Sequence, residues 1–154
     1  MSTIKQALAA AEHTCRERSV RFTPVRRRVL AILLERPQPL TAYQILDHLR
    51  TAQPRAQPPT VYRALDFLLR QGLVHRIEST NSYLACNHGH DHTGERAAHW
   101  PQFLLCDECG DAREVPLAAE LQHLLAQLAQ GHGFHIGKRP LELHGLCRQC
   151  RSAA

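Results

Sequence analysis

Residues 58–86 read PPTVYRALDFLLRQGLVHRIESTNSYLAC, and the fold turns on how that stretch divides. Its first half has a helical period: Val61, Leu65 and Leu68 share one stripe of a helix from Thr60 to Gln71, and Gly72 stands where a left-handed C-cap belongs. The second half changes period. Leu73 to Glu78 and Tyr83 to Cys86 read as short strands, separated by the turn-forming residues Ser79, Thr80, Asn81 and Ser82. A helix that runs into a hairpin is the second half of a winged helix-turn-helix.

The residues upstream supply the first half. Ile4, Leu8, Ala11 and Cys15 fall along one face of a first helix. Thr23 caps a second, with Pro24 in its first turn, Val25, Val29, Ile32 and Leu33 facing inward, and Pro37 as its stop. Thr41 caps a third helix carrying Ile45, Leu46 and Leu49, and a Pro-rich connection from Gln53 to Pro59 leads to the fourth. Downstream, Asn87 to Ala98 is polar, holds Gly89 and Gly94 and has no apolar period, as a hinge would. Then Phe103 to Cys106 and Ala112 to Val115 read as strands around a Cys-x-x-Cys-Gly knuckle. A helix follows with Leu117, Leu121, Leu124, Leu125 and Leu128 on one side, then a last strand from about Phe134 to His144. The expected fold is α+β: an N-terminal winged helix-turn-helix over residues 1–83, a hinge over 84–98, and a small α/β, zinc-stapled dimerisation domain over 99–154. The core of that last domain is thin for its size, so it is expected to need both its metal and a second copy.

Charge divides along the same line. Residues 1–83 carry 13 basic and 6 acidic side chains, whereas residues 84–154 carry 6 and 8, which suits one module to a polyanion and the other to metal and self-association. No apolar run approaches the roughly 20 residues that span a bilayer, and Met1 to Leu8 lacks a basic stretch followed by an apolar block. A cytoplasmic chain with no membrane partner is expected. In a reducing compartment the six cysteines read as thiolate ligands and not as disulfides.

Four of those cysteines, Cys106, Cys109, Cys147 and Cys150, form two Cys-x-x-Cys pairs, the soft tetrahedral set that zinc takes when its role is structural. Such a shell has no open position and does not suit catalysis. On the expected recognition helix the polar side shows Tyr62, Arg63, Asp66 and Arg70. Arg63 can fork onto guanine O6 and N7, and Tyr62 can pack on a thymine methyl. Arg21, Arg26, Arg27 and Arg28 suit phosphates or the minor groove.

The run Pro58-Pro59-Thr60-Val61-Tyr62-Arg63-Ala64-Leu65-Asp66-Phe67-Leu68, with Gln71-Gly72-Leu73-Val74-His75, Glu78-Ser79-Thr80-Asn81-Ser82-Tyr83, Arg21-Phe22-Thr23-Pro24 and both cysteine pairs, closely resembles the zinc uptake branch of the ferric uptake regulator family. The resemblance covers almost the whole chain. It implies a homodimeric, zinc-responsive repressor that binds palindromic operator DNA and controls zinc uptake genes. It places Tyr62 and Arg63 on the base-contacting pair, Arg21 beside the minor groove and Thr60 in the DNA-facing set. By their offsets from the same motifs, His75, Cys86, His99 and Glu114 match the branch's regulatory zinc ligands. One thiolate, two imidazoles and one carboxylate complete a tetrahedral shell, and the sulfur favours zinc over iron or manganese. One structural and one regulatory zinc per chain are expected. His88, His90 and His92 alternate in the hinge and can hold a third, weaker zinc or be merely solvated. Asp47 and Arg50, one helical turn apart, leave open a pair of dimers on one operator.

The iron-type members usually carry His-His-Asp-His before the first cysteine pair, where this chain has His99-Trp100-Pro101-Gln102, which supports the zinc branch. The nearest rival reading is an iron, manganese or peroxide sensor of the same family, and Cys86 separates the two. A zinc hydrolase with Glu114 as general base needs an open metal position, but the second site already counts four ligands. A zinc-ribbon interaction module leaves the basic helical half unexplained.

Overall fold

A computed structural model describes residues 4–86, 101–137 and 139–153; most of the expected hinge, with His88, His90, His92 and also His99, lies outside them. The chain divides into two compact units, residues 1–94 and 95–154. Among the described residues no helix is long and apolar enough to cross a membrane.

In the N-terminal unit α1 (Ile4–Glu17), α2 (Pro24–Leu34), α3 (Ala42–Arg50) and α4 (Pro58–Arg70) pack with a sheet of β1 (Leu40–Thr41), β2 (Val74–Ile77) and β3 (Ser82–Ala85). The strands run in the order β1-β3-β2, all antiparallel, with Leu40 opposite Tyr83 and His75 opposite Leu84. Local chemistry sets the helix boundaries. The Thr23 hydroxyl accepts from the Arg26 amide and Pro24 takes the first helical position, where its missing N–H costs nothing. Thr41 and Gln44 form a reciprocal capping box. Cys15, Val29, Ile45, Leu49, Val61 and Leu68 are wholly buried in the shared core.

The end of α4 is set by backbone geometry. Gly72 has φ +69, and the amides of Gly72 and Leu73 turn back onto the carbonyls of Leu69 and Leu68 at 3.0 Å each, which satisfies carbonyls the helix would otherwise leave bare. From the far end of α1, Arg18 Nη1 donates to both the Gln71 carbonyl and its Oε1, each at 3.0 Å. α4 also begins two residues ahead of the expected Thr60, because Pro58 and Pro59 fill its first turn.

The C-terminal unit comprises β4 (Pro101–Cys106), β5 (Ala112–Pro116), α5 (Ala119–Gly131), β6 (Leu141–Gly145) and α6 (Arg148–Ala153). Its sheet has the order β5-β4-β6, with β4 antiparallel to β5 and parallel to β6. Phe103, Leu105, Ala112, Leu117 and Ala129 make up much of its small core. Two expectations need correction here. The last strand is Leu141–Gly145, not about Phe134 to His144, because the Phe134 amide is spent at 2.8 Å on the Ala129 carbonyl at the end of α5 and Phe134 is solvent-exposed. The helix expected to carry Leu117, Leu121, Leu124, Leu125 and Leu128 on one side starts only after Leu117, which is buried ahead of it; Leu124 and Leu128 are 60% and 61% exposed, and Ala129 is the buried residue of α5.

A Cβ added at Gly72 would meet nothing within 4 Å, so a substitution there costs conformational strain and not a clash. Gly72→Ala should lower stability by about 1 kcal/mol, read as a shift in the denaturant midpoint of the N-terminal unit's transition.

Candidate metal centre and DNA-facing surface

Parallel pairing of β4 with β6 brings the two cysteine pairs together. Cys106 lies opposite Gly145 in the register, so both strands deliver a knuckle at the same end of the sheet. In the first knuckle the Cys106 amide donates to the Asp111 carbonyl at 2.9 Å, and the Gly110 amide to the Cys106 carbonyl at 3.0 Å; Gly110, with φ +71, makes the left-handed step. The second knuckle leads into α6, and its Cys147 amide donates to Cys106 Sγ at 3.3 Å. The four sulfurs lie within 4.8 Å of one another, and Cys109 Sγ is 3.8 Å from Cys147 Sγ. A tetrahedral zinc with Zn–S bonds of about 2.3 Å has sulfur–sulfur edges of about 3.8 Å. The donor set fits that ion in number, softness and span.

The thiols are not equivalent. Amide donors from Cys109, Cys147 and Glu108 pull Cys106 down to about 6, so it is the first to ionise. Cys150 is pushed up to about 12, chiefly by its contact with the Cys147 thiol and then that with Cys109, with burial and the charge on Cys106 adding to the effect. Cys109 is also raised above the usual thiol range. Protons therefore leave this cluster stepwise, and the later ones need a cation to displace them. Across the two knuckles His144 Nδ1 is 2.9 Å from Asp107 Oδ1 and the Asp107 amide donates to the Gly145 carbonyl at 2.9 Å. The His144 ring thus ties the first knuckle to the second.

On the N-terminal hairpin His75 lies opposite Leu84, and Cys86 follows two residues beyond Leu84, so period-two alternation puts His75 and Cys86 on one face. Their ligand atoms lie within 4.8 Å of each other and both residues are half-buried. The Cys86 amide donates to the Leu73 carbonyl at 3.0 Å, which holds the thiol against the hairpin. Glu114 sits on β5, opposite Phe103, and is half-buried.

α4 buries Val61, Ala64, Leu65, Phe67 and Leu68 and exposes Tyr62, Arg63, Asp66 and Arg70; Thr60 is half-buried and Arg21 exposed. The neighbouring arginines have partners within the fold. Arg27 Nη1 is 3.2 Å from Glu12 Oε2, Arg28 Nη1 is 3.8 Å from Glu35 Oε1, and Arg26 stacks on Phe67. The first two are surface pairs that contribute little stability. Sequence reading left out Tyr43, which is 65% exposed on α3; its place off the Ile45, Leu46 and Leu49 stripe was the available signal. Asp47 is exposed, and Arg50 Nε donates to the Ala56 carbonyl at 3.2 Å.

Fold and site together define a winged-helix protein coupled to a cysteine-held metal centre. The model of the ferric uptake regulator family matches residues 17–144, and the chain belongs to that family of transcription regulators. It is 43% identical over 149 residues to the zinc uptake regulation protein of Escherichia coli (strain K12), covering 97% of this chain and 84% of that protein. Among solved structures it is similar to a zinc uptake regulator complexed with zinc and DNA, at 42% identity and TM-score 0.86 over 99% of this chain and 98% of the other. It is also similar to holo XcZur, at 38% identity and TM-score 0.77 over 94% and 96%.

Cys147→Ser should cost the tightly held metal and unfold the C-terminal unit, measured as metal per chain and by circular dichroism; full metal retention would remove Cys147 from the shell.

Proposed function

We propose that the chain is a zinc-responsive transcriptional repressor that binds palindromic operator DNA as a zinc-loaded homodimer and controls zinc uptake genes. The observation that carries this reading is that the unit bearing the recognition helix also bears, on its wing, a sulfur and an imidazole nitrogen within 4.8 Å of each other. Such a soft pair suits zinc better than iron or manganese. Full-length likeness to a zinc uptake regulation protein supports the same metal.

In this reading Cys106, Cys109, Cys147 and Cys150 hold a structural zinc, and His75, Cys86, His99 and Glu114 hold a regulatory one. His88, His90 and His92 are candidates for a further, weaker site or are merely solvated. Residues 1–83 read DNA, 84–98 act as the hinge, and 99–154 dimerise, with the exposed leucines of α5 as apolar surface for the second copy. Tyr62 and Arg63 meet base edges in the major groove, Thr60 lies at the start of the same face, and Arg21 reaches the minor groove. Ligands drawn from the wing, the segment after it and β5 into one shell favour the conformer in which the two recognition helices match two half-sites. DNA then tightens zinc binding as zinc tightens DNA binding. Asp47 is exposed and available to a second dimer on the same operator. The protein works in the cytoplasm.

An operator-binding titration in buffered zinc tests the proposal. Binding should rise with free zinc, and a titration with no metal dependence would overturn the sensor. Cys86→Ser should weaken zinc-induced binding while one tightly held zinc per chain remains; loss of both together would contradict the division of sites. Arg63→Ala should cost about 1–3 kcal/mol of base discrimination. Because His75 and His99 must be neutral to ligate, zinc-induced binding should weaken as pH falls through the histidine range.

A further inference from the structure

Arg26 stands among the basic residues that charge alone would assign to phosphate, yet its side chain is turned to the protein. Its guanidinium lies 3.7 Å from the centroid of the Phe67 ring, and its Nη1 donates to the carbonyl of Arg21. Its own amide donates to the Thr23 hydroxyl that caps α2, at 3.4 Å. One half-buried residue on α2 thus joins the arm that carries Arg21, the cap that ends that arm, and the recognition helix. Phe67 is buried on α4, one helical turn after Arg63, so the stack bears on the turn beneath the base-reading side chain.

The geometry points to Arg26 as a positioning residue for DNA recognition: it fixes where Arg21 stands relative to Tyr62 and Arg63 and does not itself neutralise a phosphate. This rests on the proposed role of Arg21 in the minor groove. The chemistry favours arginine specifically. A planar guanidinium stacks on a ring with its face while donating with its edge, and one group performs both tasks. A lysine ammonium has the charge without the plane, so it cannot stack flat and donate sideways at once. A phosphate contact, by contrast, is served by either cation. Within a single unit the brace makes minor-groove and major-groove contacts interdependent, because the distance between them is held by a side chain and not by DNA.

The test uses the full zinc-loaded chain and a duplex selected by the wild-type protein from a random-sequence pool. Failure of the wild type to select any duplex would overturn the DNA-binding reading itself, separately from the role of Arg26. Affinity is then measured against salt for wild type, R26K, R26M, R21A and the double variants, with thermal melting as a check on folding. R26K and R26M should each lose at least about threefold in affinity, but less than about twofold when introduced into R21A, because residues that act through one another are not additive. In the R21A background R26M should leave the slope of log affinity against log salt unchanged. Restoration of wild-type affinity by R26K, or a further fall in that slope of about 0.9 per lost phosphate contact, would overturn the proposal. Should R26M melt early, the R26K and R21A cycle decides the matter by the same criterion.

Discussion

Parallel pairing of β4 with β6 is the constraint on which the C-terminal unit depends. Because both strands end at the same edge of the sheet, two knuckles whose facing cysteines, Cys109 and Cys147, are 38 residues apart leave it side by side and close a four-sulfur cluster. The unit has little else to hold it. Among the described residues Phe103 is its one large side chain with no exposure, and a domain this small gains too little from apolar burial alone. Metal binding free energy then becomes folding free energy. Amides of both knuckles favour Cys106 as a thiolate, and the His144–Asp107 contact sets the second knuckle against the first.

The N-terminal unit is stabilised in another way. Its core is continuous, with residues from all four helices and the wing, and its helix ends are satisfied by local backbone and side-chain chemistry, so it needs no ion to fold. The ligands proposed on its hairpin are therefore available for a different task. A site there would carry no folding load and could be emptied and filled while the recognition helix stays intact, which is what separates a reversible response from denaturation.

Much of this was legible in the residues. Thr23-Pro24, Thr41 and Gly72 marked helix ends through capping chemistry that acts within a few positions, and those marks hold in the structure. Each Cys-x-x-Cys pair marked a knuckle for the same reason, and the shared preference of four thiolates for one soft metal joined the two pairs. Features that depend on distant pairs were not legible. β1 is two residues long and exists because Leu40 and Thr41 meet Tyr83 and Ser82; no period announces it. The Phe134 to His144 segment alternates in polarity at its start, yet an edge strand needs a neighbour and only Leu141–Gly145 has one. α6 is short and polar, and its start is tied to the second knuckle. The leucines of α5 did signal an apolar face, and within the unit Leu124 and Leu128 on that face are exposed. The partners of Arg26 were not legible either: its charge suits phosphate, and its contacts with the Phe67 ring and the Arg21 carbonyl lie on other elements.

The distance along the chain between the two knuckles also bears on how the protein is made. Synthesis runs from the N-terminus, so the winged helix and then the first knuckle emerge while β6 and the second pair are still to be added. During that interval Cys106 and Cys109 form only a two-sulfur half-site, without the Cys147 amide that donates to Cys106 Sγ in the finished cluster. A nascent chain can therefore begin to fold its DNA-reading module early, whereas a closed tetrathiolate, and any assembly that depends on it, must wait for Cys147 and Cys150. Metal capture is in this sense a checkpoint on arrival of the second knuckle.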